Sequence, residues 1–452
     1  MKSLFLFIVG FIFGYIGFSE IYQSLSIAIL FTLITRIFTE SSKQFVFREW
    51  SLLLYCVNYL VAPAITYSLA EEQVTYGMKI PPIEYYELAL PGFIFLSLGM
   101  FMIPTKMFHI DNKRVNMSTL VNKEFLVKFV FFGIFLRLFG NVLPGELSFI
   151  AYLLGLIRFV GAFALFSINS KNWYYVALVL LIELGYSFLE GMYHDALMWL
   201  IFFGLYFIYA LKPSFRFKVI GAVGLILFIL LVQAVKVRYR EIAWQEGGSQ
   251  SLVTAAQVTS QASSYDIVLG DNNLLGTLNR GNQAWIFAST VDNLNRTKKY
   301  QGLTIVNKYL EAAILPRFLA PNKLTSGNKE IFNEFSGHTI NEGTSMGLGI
   351  FADGYIAFGV WGVYIFGFTL GLIFGLTFKL VERWTKVSPF YVLFILPLLS
   401  YAVRPDCELQ TTINHLSKGI LLYGILVYLT RKRFSLDSRD NQRKLLHLNL
   451  MK

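Results

Sequence analysis

The chain has 452 residues, of which 55% are hydrophobic and only 15% charged, with mean hydropathy +0.55 and a formal net charge of +11. Soluble domains carry about 25% charged residues, so the composition excludes a soluble globular protein and indicates a polytopic membrane protein. Cations in so apolar a chain belong in loops facing anionic lipid, which sets nucleic acid aside; the two cysteines, Cys56 and Cys407, form neither a disulfide framework nor a metal-ligand spacing.

A helix needs roughly 20 mainly apolar residues to cross about 30 Å of hydrocarbon. Runs near that length fall at residues 3–19, 21–39, 50–68, 86–104, 125–142, 147–168, 172–190, 195–211, 217–236, 346–378, 387–403 and 410–430. They predict an all-α bundle of about twelve transmembrane helices. The first run follows Lys2, and Gly17-Phe18-Ser19-Glu20 matches a cleavage site poorly, so it reads as a retained span.

Orientation follows from the short loops. With the N-terminus inside, the inner segments collect Arg36, Lys43, Arg48, Lys106, Lys113, Arg114, Lys123, Lys171, Lys212, Arg216, Lys218, Lys379, Arg383 and Lys386. The outer ones hold Glu20, Glu71, Glu72, Glu84, Glu87, Glu146, Glu190 and Asp195, with few cations beyond Lys79 and Arg404. Both termini are therefore expected in the cytoplasm. The organisation is an N-terminal bundle at 1–236, a large polar outer segment at 237–345, C-terminal spans at 346–430 and a basic tail at 431–452. The outer segment carries Trp244, Trp285, Phe287, Tyr309 and Phe335, enough apolar surface to pack. Leu252 to Gln261 and Thr304 to Ile314 have helical spacing, so it reads as a small helical cap lying over the outer face. Gly367, Gly371 and Gly375 form a GxxxGxxxG line that signals close helix packing.

Lys236-Val237-Arg238-Tyr239-Arg240 puts cations on the outer side, against the trend of the other loops. It is either a headgroup anchor or an anion site, since guanidinium forks match phosphate oxygens. Arg280 stands in a loop sequence, and Arg317 is framed by Pro316 and Pro321, which restrict its backbone. In Gly337-His338-Thr339-Ile340-Asn341-Glu342-Gly343, a histidine and a carboxylate four apart are either a polar helix cap or a general base for a hydroxyl. Arg137, Arg158 and Glu183 lie within spans, where ionisable groups face a bundle interior; an ion pair is the first reading and a polar cavity the second. No HExxH or other metal spacing occurs among the five histidines.

This layout resembles the Wzy-type oligosaccharide repeat unit polymerases, relatives of the O-antigen ligases in the GT-C class. The resemblance is carried by the dozen apolar runs, the one large outer segment late in the chain, Leu315-Pro316-Arg317-Phe318 to Pro321-Asn322-Lys323, and the glycine-rich entry from Thr344 through Gly362. It covers the last half of the chain best. It implies a metal-independent glycosyltransferase without cofactor, in the bacterial inner membrane, acting on undecaprenyl diphosphate-linked oligosaccharide at the periplasmic face. A chain-length regulator and a flippase would be its protein partners. Loop arginines that hold the donor diphosphate map onto Arg238, Arg240 and Arg317, with Arg280 and Arg404 as further members, and the ligase histidine maps onto His338; Glu342 enters only on its spacing. No Asp-x-Asp stands in the first outer loop, where Glu20 alone is ionisable, unlike the metal-dependent GT-C enzymes. The alternatives are an O-antigen ligase-type transferase and a flippase that moves the lipid-linked saccharide unchanged.

Overall fold

The computed structural model describes residues 2–69, 76–106, 122–190, 193–240, 257–261, 268–315, 319–340 and 345–434. Among them every regular element is helical and no strand occurs. The N-terminal part comprises α1 (Lys2–Phe18), α2 (Ile21–Glu40), α3 (Phe47–Ser68), α4 (Pro82–Met102), α5 (Lys123–Phe139), α6 (Leu147–Ile168), α7 (Trp173–Glu190), α8 (His194–Leu211) and α9 (Phe215–Arg240). The polar segment contributes α10 (Asp271–Arg280), α11 (Ala284–Thr297), α12 (Leu303–Ile314) and α13 (Lys329–Ser336). Then follow α14 (Ile350–Val387), α15 (Pro389–Leu399) and α16 (Leu409–Phe434). Among the described residues seven helices are long and apolar enough to cross a membrane: α2, α3, α4, α6, α8, α9 and α14. The chain is a membrane protein.

Two of the predicted spans take another form. The run at 346–378 falls in α14, which is two helices joined by a reversal at Phe358 (φ −137°) and Gly359 (φ +61°). A Cβ on Gly354 would lie 2.4 Å from Gly362 O, and one on Gly362 1.8 Å from Gly354 O. Residues eight apart in a straight helix stand about 12 Å apart, so the arm at 350–357 folds back along the helix at 360–387. Its C-terminal carbonyls are capped from the polar segment, Gln301 N–H donating to Ile356 O (2.9 Å) and Gly302 N–H to Ala357 O (3.0 Å). The run at 387–403 becomes α15, an apolar helix shorter than a span, which begins as a 3₁₀ helix over Pro389–Phe394. α15 and α16 form a second hairpin, pinned at one end by Phe390 against Phe434 (5.3 Å) and higher up by Phe394 against Tyr423 (5.4 Å). Its tip is the non-helical turn at 400–408.

The glycine line packs as expected. α14 runs alongside α4 so closely that a Cβ on Gly371 would sit 2.0 Å from Leu96 O, and one on Gly367 2.6 Å from Gly92 O. The predicted helix at Thr304 to Ile314 is α12. The polar segment does more than cover the bundle, however. Ala284 through Val291 of α11 are buried on every face, and Phe287 stands against Tyr85 (5.9 Å), Phe351 (6.1 Å) and Tyr59 (6.4 Å) of the span helices. A helix stretch buried on every face belongs in a core, and α11 shares the core of α3, α4 and α14.

Candidate functional site

An ionic corner forms where α5, α6, α7 and α8 meet the 400–408 turn. α5 and α6 approach backbone to backbone, because a Cβ on Gly133 would be 2.6 Å from Arg158 N and 2.7 Å from Gly155 O. α6 is irregular at Leu156, and the carbonyl of Gly155 beside it accepts from Arg158 Nη1 at 2.7 Å. Arg158 Nη2 donates to Glu183 Oε2, which Arg137 Nε also approaches at 3.5 Å, while the Arg137 guanidinium lies 4.1 Å from the Tyr186 ring centre. Arg158 and Glu183 are buried. The sequence expectation of an ion pair is met, with Arg137 as a second cation on the same carboxylate.

Arg404 extends this corner. Its Nε and Nη2 donate to the two oxygens of Asp406 at 3.2 and 2.8 Å, Nη1 stands 3.7 Å from Asp195 Oδ1 on α8, and the guanidinium lies 4.5 Å from the Tyr401 ring centre. Burial pulls the Arg404 guanidinium down, but Asp406 and its neighbours outweigh this and hold it well above its usual value. Burial pushes Asp406 up, and Arg404 outweighs that and keeps the carboxyl below its usual range. Asp195 feels the charges of Arg404, Glu183, Arg137 and Arg158, and His194 those of Arg404, Asp406 and Lys236 at the end of α9, so the corner is one electrostatic unit. It contains Arg137, Arg158 and Arg404 against Glu183, Asp195 and Asp406.

His338 lies elsewhere. α13 ends on Gly337 in the left-handed region (φ +70°), which turns His338 back over α11. Its Nε2 lies 3.0 Å from Ser289 Oγ, and its ring meets the edge of Trp285 at 5.4 Å, with Trp285 stacked on Tyr76 at 4.4 Å. Partial burial, with a smaller push from Lys79, lowers the imidazole below its usual value, so it is neutral at neutral pH. Among the described residues, the contacts of His338 and of Arg404 share none. Arg280 is exposed in the last turn of α10, and Arg238 is exposed near the end of α9. Arg240 continues the backbone of α9 while its side chain lies outside the described residues, as do Arg317 and Glu342 entirely.

Sequence reading missed a third polar locus, where the extended chain at 345–349 meets the 400–408 turn. Gly349 (φ +84°) starts α14 against Tyr59, whose Oη would be 2.3 Å from a Cβ there. Tyr59 sits in a π turn of α3 (Val57–Val61) and donates to Pro405 O at 3.0 Å. Gln283 Nε2 donates to Gly347 O (3.0 Å) and Leu348 O (3.2 Å). Asp353 and Glu408 are buried beside this junction. The signal that finds Asp353 is the one applied to Glu183, an ionisable residue within an apolar run.

Fold and site together define an all-helical membrane protein in which two broken helices meet a buried ionic corner. The family described as a domain of unknown function, DUF8712, matches residues 84–385, and the chain belongs to that family. No curated protein and no solved structure matches.

Proposed function

We propose that the protein is a metal-independent glycosyltransferase that joins undecaprenyl diphosphate-linked oligosaccharide repeat units at the extracytoplasmic face of a bacterial inner membrane, with about twelve spans and both termini inside. The observation that carries the reading is the convergence of Arg137, Arg158 and Arg404, from two helices and a turn, on one corner near the end of α9 from which the polar segment departs. In the reaction the acceptor hydroxyl oxygen attacks the anomeric carbon, the bond from that carbon to the diphosphate oxygen breaks, and the electron pair leaves on the diphosphate. Fixed guanidinium groups in a low-dielectric corner stabilise that charge. Arg404 is the member held at the turn; Arg238, Arg240, Arg280 and Arg317 are the arginines the polar segment brings to the donor.

The hydroxyl proton passes to His338, with Glu342 as a second carboxylate acceptor nearby in sequence. A neutral imidazole has one donor and one acceptor nitrogen. With Nε2–H donating to Ser289 Oγ, Nδ1 is left as the basic atom. Attack from the side opposite the diphosphate inverts the anomeric centre.

The test incubates purified protein in detergent, with EDTA, with a lipid-linked repeat unit, and reads the products on a gel. A ladder spaced by one repeat supports the polymerase. Transfer onto lipid A core alone moves the assignment to a ligase, and no product at all, with substrate translocated in vesicles, moves it to a flippase.

A further inference from the structure

Two carboxylates are buried where the two broken hairpins and the polar segment meet. Asp353, 0% exposed, lies on the 350–357 arm of α14. Its Oδ1 accepts from Tyr309 Oη of α12 at 3.0 Å, and its Oδ2 from the backbone N–H of Leu409, the first residue of α16, at 2.8 Å. Glu408, 3% exposed, immediately precedes Leu409. Its Oε2 accepts from Gly327 N–H at 3.2 Å and from Gln410 Nε2 at 2.9 Å, and the backbone of Leu348 bonds the same carboxylate. Each carboxyl accepts from backbone N–H donors, which favour its ionised form.

Buried charges are normally paired or bound to metal. Among the described residues no cation stands in salt-bridge reach of Asp353 or Glu408, although Arg404 is spoken for nearby by Asp406. Burial pushes the Glu408 carboxyl up from its usual range, so its charge persists only with a countercharge at hand. A separate observation points the same way. Gln410 is 4% exposed, its amide nitrogen is spent on Glu408 and on Thr325 O (3.0 Å), and among the described residues its Oε1 has no hydrogen-bond partner. An orphaned buried oxygen on an amide held against a buried carboxylate needs a donor or a cation.

We propose that Glu408, Asp353 and Gln410 Oε1 form a binding site for a monovalent alkali cation, sodium above all, at the junction of the 345–353 chain and the 400–410 turn. Oxygen ligands of this kind suit hard cations, and non-helical chain between broken helices supplies such oxygens within membrane proteins. The carboxylate charge is already shared among several N–H and O–H donors, which suits a singly charged ion. The cation neutralises the pair and ties the tip of the second hairpin to the fold-back arm of the first and, through Tyr309 and Gly327, to the polar segment. This inference does not rest on the polymerase reading.

The experiment measures thermal unfolding of the purified full chain in detergent by tryptophan fluorescence, titrating sodium chloride against choline chloride at constant ionic strength. The expected result is a saturable rise in Tm with sodium, smaller with potassium. Glu408→Gln should weaken the sodium midpoint by about tenfold or more, the change that the loss of about 1.4 kcal/mol of binding produces. Asp353→Asn should do likewise. Identical curves in sodium and choline would overturn the site, and need only the unmodified protein. Stabilisation by micromolar calcium that EDTA reverses, with no sodium effect, would overturn the monovalent assignment.

Discussion

The α4–α14 seam and the α5–α8 corner both use glycine to bring backbones together, yet they deliver different things. In the seam, Gly367 and Gly371 let carbonyls and Cα atoms touch with no ionic group between them. Packing is then the whole content of the contact. In the corner, Gly133 places the backbone of Arg158 against α5, and what it brings into the interior is charge: two arginines on Glu183, and through Asp195 the pair of Arg404 and Asp406. Well-packed apolar residues of similar volume often replace a buried ionic network with neutral or favourable effect on stability. A corner retained at that cost is where chemistry is to be sought, and the seam is where stability is.

The sharpest way to break this contrast is a mutant cycle in the corner. Glu183→Leu alone leaves Arg158 buried and unpaired and should cost about 3–5 kcal/mol. The double change Arg158→Met with Glu183→Leu should recover part of that loss in Tm, Arg137 having still lost Glu183, while abolishing turnover. Full activity in a stable double variant would reduce the corner to another seam. In the seam itself Gly371→Ala forces a methyl group onto Leu96 O and should cost about 1–3 kcal/mol, read as a lower Tm with turnover per folded molecule unchanged.

A finer distinction comes from Arg404→Lys, which keeps the charge beside Asp406 and loses the two-pronged geometry. Stability should change little, while activity should fall about tenfold or more, since a charge-assisted contact is worth roughly 1.5–3 kcal/mol. Equal losses of both would make Arg404 a structural strut. The smallest effect belongs to His338. Its folded-state pKa lies below the usual value, so the unfolded chain binds more protons at mildly acid pH and stability should fall as pH drops through about 6.5. His338→Gln should make that limb of a Tm-against-pH profile shallower, and an unchanged profile would assign the dependence to other groups.

Hydropathy and charge made the helical class and the positions of most helices legible, because lipid leaves so few backbone solutions. The glycine line at 367 to 375 declared its packing role in the same way, since the spacing needs no partner to be recognised. The reversal at Phe358–Gly359 was not legible, for Gly359 sits in an apolar run and only the contact of Gly354 with Gly362 shows that the run is bent on itself. α11 was read as cap material because its neighbours are polar; its burial depends on Tyr59, Tyr85 and Phe351, residues far off in the sequence. Within the candidate site, the pairing of Arg158 with Glu183 followed from the expense of charge in a span. The pairing of Arg404 with Asp406 and Asp195 did not, because a turn carries no periodicity from which a facing residue can be read.

The fold-back arm also bears on biogenesis. An apolar run as long as α14 would extend for about 57 Å if straight, nearly twice the hydrocarbon thickness. The portion from about residue 360 onward is by itself longer than the roughly 20 residues a crossing needs. Residues 350–357 fold back against that crossing, and the carbonyls at the end of the arm are satisfied by the N–H groups of Gln301 and Gly302, which precede them in the chain. The polar segment is thus a clasp on the fold-back arm as well as a contributor to the core, and only a chain carrying both 299–302 and 350–362 can close it. Protease protection of the 300–302 stretch, followed during synthesis, would time that locking step.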